Sequence, residues 1–208
     1  MSLPSDGTRP APTMPSAVPP SLVLASASPR RLDLLGALGI AFSVRPADLD
    51  ETPHVGEPAD RYVGRLAREK ALAVARPGEL VLAADTTVAL EGEILGKPTD
   101  PGDAVAMLTR LVGRAHQVHT GMALVDGTTG VVLEHGVDTT QVFMRAADAD
   151  TIGWYVRTGE PLDKAGSYGL QGIGAVLVDR IDGNSHTVVG LTMTTVYCWL
   201  QKYLQPFV

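Results

Sequence analysis

The sequence predicts an α/β protein, a mixed β-sheet with helices around it. Three observations lead there. Apolar runs of strand length alternate with segments of helical period. Hydrophobic residues make up 45% of the chain and charged residues 19%, a globular composition. At 208 residues the chain can bury about 70% of its unfolded surface, so it needs no disulfide staples. Cys198 is the one cysteine, which excludes an intrachain disulfide and a four-thiolate metal site.

The elements follow in order. Ser21–Ala25 reads as a buried strand. Ser28-Pro29 marks a helix start, with Ser as N-cap and Pro in the first turn, and Leu32, Leu35 and Leu38 continue it until Gly39. Ala41–Arg45 suggests a second strand. Tyr62, Leu66, Ala67 and Leu72 give a helical period between Pro58 and Ala75, ended by Pro77-Gly78. Leu80–Leu90 is a long strand interrupted by Asp85-Thr86-Thr87, and Glu91-Gly92 turns it toward Ile94-Leu95. Asp100-Pro101 caps a helix through Leu111. Ala115–Val125 and Val131–Phe143 form a hairpin across Asp126–Gly130. Asp150–Arg157 is helical, Ala175–Arg180 is a strand, and Thr192–Leu204 is the last helix. Lobe boundaries are expected near Gly96 and Gly159.

Charge and tail composition narrow the function. Seventeen basic residues stand against 23 acidic ones, net −6, which argues against a nucleic-acid binder. An anionic ligand must therefore meet a local cationic cluster or a metal. Residues 1–20 read as a flexible, Pro-rich extension, because such chain buries too little to order itself. No stretch has the length and apolarity of a signal peptide or a spanning helix, so a cytoplasmic protein without membrane contact is expected.

Three segments carry chemistry. In LASASPRRLDLL, residues 24–35, a strand runs through a Ser-rich turn into a helix start, where free N–H groups favour phosphate. Ser26 could donate a hydroxyl there, and Arg30 and Arg31 charge-assisted bonds; on this segment alone a capped surface helix with solvated arginines reads slightly better. In AADTT, residues 83–87, Asp85 sits inside an apolar strand, which is costly unless it is paired, hydrated or metal-bound. That cost makes Asp85 the first catalytic candidate, ahead of a strand-end Asp satisfied by backbone. Lys97, in a Gly-Lys-Pro triplet, can return to the same end of the sheet. EPLDKAGSYGLQGIG, residues 160–174, is a long Gly-rich loop with Lys164 and Gln171 as ligand-facing candidates. His116 and His119 read as structural or exposed histidines, Cys198 as a small core residue, and Trp154 and Tyr155 as aromatics packing their helix.

Together these segments resemble one family. LASASPRRLDLL, Glu51, RLAREKA at 65–71, AADTTV at 83–88, GKP at 96–98, the EPLDKAGSYGLQG loop and VVGL at 188–191 occur in the order of the Maf family of nucleoside triphosphate pyrophosphatases. The match spans about residues 22–204, hence one Maf-like catalytic domain over residues 21–208. The resemblance implies two lobes around a deep cleft, a fold of the Maf and inosine-triphosphatase kind. It implies cleavage between the α and β phosphates, a divalent cation (Mg²⁺ or Mn²⁺) and a homodimer. It places the general base on Asp85, substrate selection on Arg30, Thr86 and Gln171, and further cleft positions on Ser26, Glu51, Lys70 and Lys97. DKAG at Asp163–Gly166 followed by Gln171 is similar to the subfamily that prefers dTTP and UTP.

On this reading Asp85, Lys97 and Glu51 are the catalytic candidates. Glu51 and Asp85 could hold the cation through oxygen ligands. Ser26, Arg30, Arg31, Lys70, Thr86, Lys164 and Gln171 would meet the substrate. The residue after VVGL is Thr192 where the family usually has Pro, and a Thr can cap the last helix instead. Two alternatives stand: a non-enzymatic regulator of septum formation, and a pyrophosphatase for modified purine nucleotides such as 7-methyl-GTP.

Overall fold

The computed structural model describes residues 20–204. The Pro-rich stretch expected over residues 1–20 lies, apart from Pro20, outside them. The chain runs β1 (Ser21–Leu24), α1 (Pro29–Gly36), β2 (Phe42–Val44), α2 (Ala59–Val74), β3 (Glu79–Leu90) and β4 (Glu93–Leu95). It continues α3 (Pro101–Leu111), β5 (Ala115–Asp126), β6 (Val131–Met144), α4 (Ala149–Arg157), β7 (Val178–Asp182), α5 (Ser185–Val189) and α6 (Met193–Tyr203). Short 3₁₀ turns fill the stretch between α4 and β7. The sheet is mixed, in the order β2-β1-β3-β5-β6-β7, with β4 also on β3.

The long antiparallel pair β3 and β5 is the spine. Leu80 to Ala89 pair with Asp126 to Gln117 on one edge of β3. The other edge is divided between two strands. β1 lies parallel on Glu79–Leu82, and β4 lies antiparallel on Val88–Leu90. Between them residues 83–87 have no strand neighbour on that edge, and this gap divides the sheet into two halves. Glu91 and Gly92 make the β3–β4 turn with left-handed φ values of 53° and 85°.

Strand alternation sends the core to both faces. Leu22, Leu24, Leu82 and Leu124 pack with Leu35 of α1 and with Val196 and Leu200 of α6. On the opposite face Val23, Val81, Ala83 and Ala123 meet Ala67 and Ala71 of α2. Beyond the gap Val88, Val118 and Val142 pack against Leu108 and Leu111 of α3 and Ile152 and Tyr155 of α4. Small side chains let α2 lie close to the sheet. A Cβ at Gly121 would come within 2.2 Å of the Val63 carbonyl oxygen on α2.

Several local expectations need correction. Ser28 and Thr192 occupy N-cap positions, but neither hydroxyl makes a capping bond. Ser26 Oγ instead accepts from the Ser28 N–H, and Thr192 Oγ1 pairs with Thr187 Oγ1. The strand expected from Ala175 starts at Val178, after a 3₁₀ turn over Ile173–Leu177. Trp154 is 46% exposed while its neighbour Tyr155 is fully buried, since adjacent helix positions face different ways. Cys198 is exposed, because the buried stripe of α6 runs through Val196, Trp199 and Leu200.

Gly121→Ala is expected to destabilise the protein by about 3 kcal/mol, because the methyl group meets helix backbone that cannot rotate away. Chemical denaturation of the variant checks this; a loss below about 1 kcal/mol would show that α2 can shift off the sheet.

Candidate active site

The gap in the sheet opens into a cleft of about 470 Å³. Asp85 and Thr86 point to opposite faces of β3, yet both line it, because the cleft cuts across the sheet where no neighbouring strand covers β3. The other walls are the turn from β1 into α1, the segment around Glu51, the Gly96-Lys97 loop, the loop from Asp163 to Gln171, and Val188-Val189.

The floor is charged. Lys70 projects from the buried face of α2, and its Nζ lies 2.6 Å from Asp85 Oδ1 and 2.6 Å from Glu51 Oε1. Asp85 and Lys70 are 6% and 8% exposed, so each charge depends on the other. The second carboxylate oxygen of Asp85 takes no hydrogen bond from the described residues and remains available. Glu51 is held from α2: the Tyr62 hydroxyl donates to its carbonyl at 2.8 Å. Arg65 donates to both Glu57 oxygens and to the Thr52 carbonyl, fixing the chain that follows Glu51. That guanidinium holds the Glu57 carboxyl down at about 2.

The α1 wall is cationic. The N-terminal end of α1 lines the cleft and turns the positive end of the helix dipole toward it, although Pro29 has no N–H and the Arg31 and Leu32 N–H groups donate to the Ser28 carbonyl. Arg31 is not a free cation. Its Nε donates to the Gly190 carbonyl at 2.8 Å, its Nη2 to Thr86 Oγ1 at 2.9 Å, and its Nη1 to Ser26 Oγ at 3.4 Å. Burial lowers its pKa, against the pull of Asp85's charge. Thr86 Oγ1 also pairs with Thr120 Oγ1, which donates to the Thr187 carbonyl. A polar chain thus ties α1, β3, β5 and α5 together beneath the cleft. Arg30 reaches across the mouth to Asp163 at 3.2 Å, and Lys164 bonds the same carboxylate at 2.7 Å.

Every site residue expected from the sequence lines this cleft: Ser26, Arg30, Arg31, Glu51, Lys70, Asp85, Thr86, Lys97, Lys164 and Gln171. Lys97 is exposed and makes no ion pair or hydrogen bond with the described residues, nor does the Gln171 side chain. Sequence reasoning missed Tyr62, Asp163, Tyr168 and Thr120. Tyr168 lines the cleft from the Gly-rich loop, and its hydroxyl lies 2.7 Å from His116 Nε2 in a T-shaped ring contact. The signal for that pair was present: His116 is a polar residue inside a paired strand, and such a residue needs a partner.

The cleft thus defines a class of protein, an α/β fold whose sheet gap holds a carboxylate pair among lysines and arginines, suited to a polyanion. The chain belongs to the Maf family: the family model, described as Maf-like protein, matches residues 21–203. It is 55% identical over 183 residues to a dTTP/UTP pyrophosphatase of Myxococcus xanthus (strain DK1622), covering 87% of this chain and 91% of that one. It is 52% identical over 185 residues to a dTTP/UTP pyrophosphatase of Anaeromyxobacter dehalogenans (strain 2CP-C), covering 88% and 94%. Among solved structures, a HAM1 protein from Coxiella burnetii is similar with a TM-score of 0.47 at 17% identity, covering 88% of this chain and 98% of that one.

Burial pulls His116 from 6.5 down to about 4. Between these values the unfolded chain takes up a proton that the folded chain refuses. The contribution to stability is therefore complete above pH 6.5 and lost as pH falls toward 4. His116→Gln should flatten the fall in melting temperature across that window. A slope equal to wild type would assign the acid sensitivity to other groups.

Proposed function

We propose that the chain is a nucleoside triphosphate pyrophosphatase that hydrolyses dTTP and UTP to the monophosphate and pyrophosphate. The observation that carries this is the buried Asp85 carboxylate, held by Lys70 at 2.6 Å on the floor of a cleft whose walls present Arg30, Arg31, Lys97 and Lys164. The names of the relatives at 55% and 52% identity support it.

Hydrolysis of a phosphoanhydride is chiefly a matter of positioning and charge stabilisation. Lys70 fixes the Asp85 carboxylate through one oxygen and leaves the other to accept a proton from a water directed at the α phosphorus. Lys97 lines the cleft without a partner among the described residues, and in this reading it meets charge on the departing pyrophosphate. In this reading Ser26 and the α1 N-terminus meet the phosphates; Arg31 holds Ser26 and Thr86 in place. The Gln171 amide offers both an acceptor and a donor, which matches the carbonyl and adjacent N–H of uracil or thymine.

Glu51 and Asp85 also fit a divalent cation. Lys70 Nζ holds one oxygen of each carboxylate, so a cation would take the oxygens that Lys70 leaves free, as Mg²⁺ is commonly held by one or two carboxylates together with substrate phosphates. Among the described residues no group of three or more His, Cys, Asp or Glu side chains is placed to hold a metal by itself. A bound Mg²⁺ or Mn²⁺ would supply charge neutralisation at the phosphates. The same reading includes the homodimer and the cytoplasmic setting implied by family resemblance. No described helix is long and apolar enough to cross a membrane.

Asp85→Asn should abolish turnover of dTTP and UTP while the circular dichroism spectrum is retained; a near-normal rate would remove Asp85 from the chemistry. Arg30→Ala and Lys97→Ala should each cost about 10²–10³ in rate. A panel of canonical and modified triphosphates with Mg²⁺ tests the substrate. Monophosphate and pyrophosphate from the pyrimidines support the proposal, turnover confined to modified purines redirects it, and no turnover of any nucleotide overturns it.

A further inference from the structure

The loop that carries Lys164 and Gln171 is closed by a residue outside the cleft lining, Glu160. Its carboxylate accepts from the Tyr155 hydroxyl at 2.9 Å, from the Ile173 N–H at 2.8 Å and from the Gly174 N–H at 2.9 Å. Its carbonyl accepts from Lys164 Nζ at 2.6 Å. One residue therefore binds both ends of the 160–174 segment and the lysine within it. Tyr155 is fully buried in the α4 core, so the clamp is fastened to a rigid element.

Two glycines make room for it. A Cβ at Gly172, where φ is +102°, would come within 2.7 Å of Glu160 Oε2. A Cβ at Gly174 would come within 2.4 Å of the Tyr155 hydroxyl. The loop is also strained and pinned at its centre. Gly166 and Ser167 both have left-handed φ, at 68° and 61°, and Tyr168 is held by His116 at 2.7 Å. The backbone amides and the Tyr155 hydroxyl keep the Glu160 carboxyl below its usual range against the cost of burial.

We propose that Glu160 is a positioning residue that sets Lys164 and Gln171 relative to each other, and so couples the phosphate side of the substrate to its base side. Glu160 itself does not touch substrate. The inference rests on the proposed reading of Gln171 as the base-selecting side chain. Replacing the carboxylate by an amide retains the size but turns one acceptor into a donor that faces backbone N–H groups.

The test uses the full chain as wild type, Glu160→Gln, Tyr155→Phe and Gln171→Ala. Steady-state kinetics are measured with UTP, dTTP and CTP, melting temperatures are recorded, and amide hydrogen exchange is followed over residues 164–174. In Glu160→Gln the exchange of this segment should rise while the sheet stays protected. KM for UTP and dTTP should rise about tenfold with kcat changed less, and the preference for UTP over CTP should fall toward that of Gln171→Ala. Tyr155→Phe, which deletes one donor, should shift the same quantities in the same direction by less. Unchanged exchange in Glu160→Gln overturns the inference outright. So does a wild-type base preference in Glu160→Gln when Gln171→Ala has lost it, or an equal loss on all three nucleotides with a lowered melting temperature. A wild-type base preference in Gln171→Ala would instead refute the base-reading role, and the exchange measurement then decides the inference about Glu160 alone.

Discussion

Two carboxylates from distant parts of the chain, Glu51 and Asp85, share one ammonium, Lys70 Nζ, at 2.6 Å each. Asp85 lies in the middle of a strand whose other odd-numbered neighbours, Val81 and Ala83, are wholly buried. Without the lysine its charge would stand uncompensated in the core, at a cost of about 3–5 kcal/mol. Much of the surrounding architecture meets that requirement. α2 must lie close enough for Lys70 to reach the sheet, which explains Ala67, Ala71 and the bare Gly121 facing it. The segment from Asp50 to Glu57 must be held down, and Tyr62 and Arg65 of the same helix do this.

The second constraint is the interrupted edge of β3. A continuous sheet would expose a ligand to one face at a time. Because β1 ends beside Leu82 and β4 ends beside Val88, residues of both faces reach one space. Asp85 brings the α2 side, with its ion pair. Thr86 brings the other side, where Arg31, Thr120 and Thr187 extend the polar chain. The cleft is therefore a property of strand pairing, and its chemistry follows from which side chains alternate at the gap.

Much of this was legible in the sequence. The long strands, the helices of clear period and the turn at Glu91-Gly92 stand where their patterns put them. A lone Asp inside an apolar strand marked the cleft because burial without a partner is costly. Other features were not legible for physical reasons. α5 is five residues long, too short to show a helical period. Ile173–Leu177 is an apolar run without alternation, which strand and 3₁₀ turn accommodate alike. Two of the three partners of Arg31, Thr86 and Gly190, lie 55 and 159 residues away, beyond any local pattern. Glu160 sits in a segment read for its charged and amide side chains, and its connection to Tyr155 and to the amides of residues 173 and 174 emerges only in three dimensions. Glycines at 172 and 174 were the trace it left.

The central claim is that water attacks the α phosphorus of a nucleoside triphosphate bound in this cleft. Hydrolysis of UTP in ¹⁸O-enriched water, followed by mass spectrometry of the products, tests it most directly. The predicted result is one labelled oxygen in uridine monophosphate and none in the pyrophosphate. Label in the pyrophosphate would place the attack on the β phosphorus, and labelled orthophosphate would place it on the γ phosphorus; either result would contradict a mechanism in which Asp85, fixed by Lys70, directs the water.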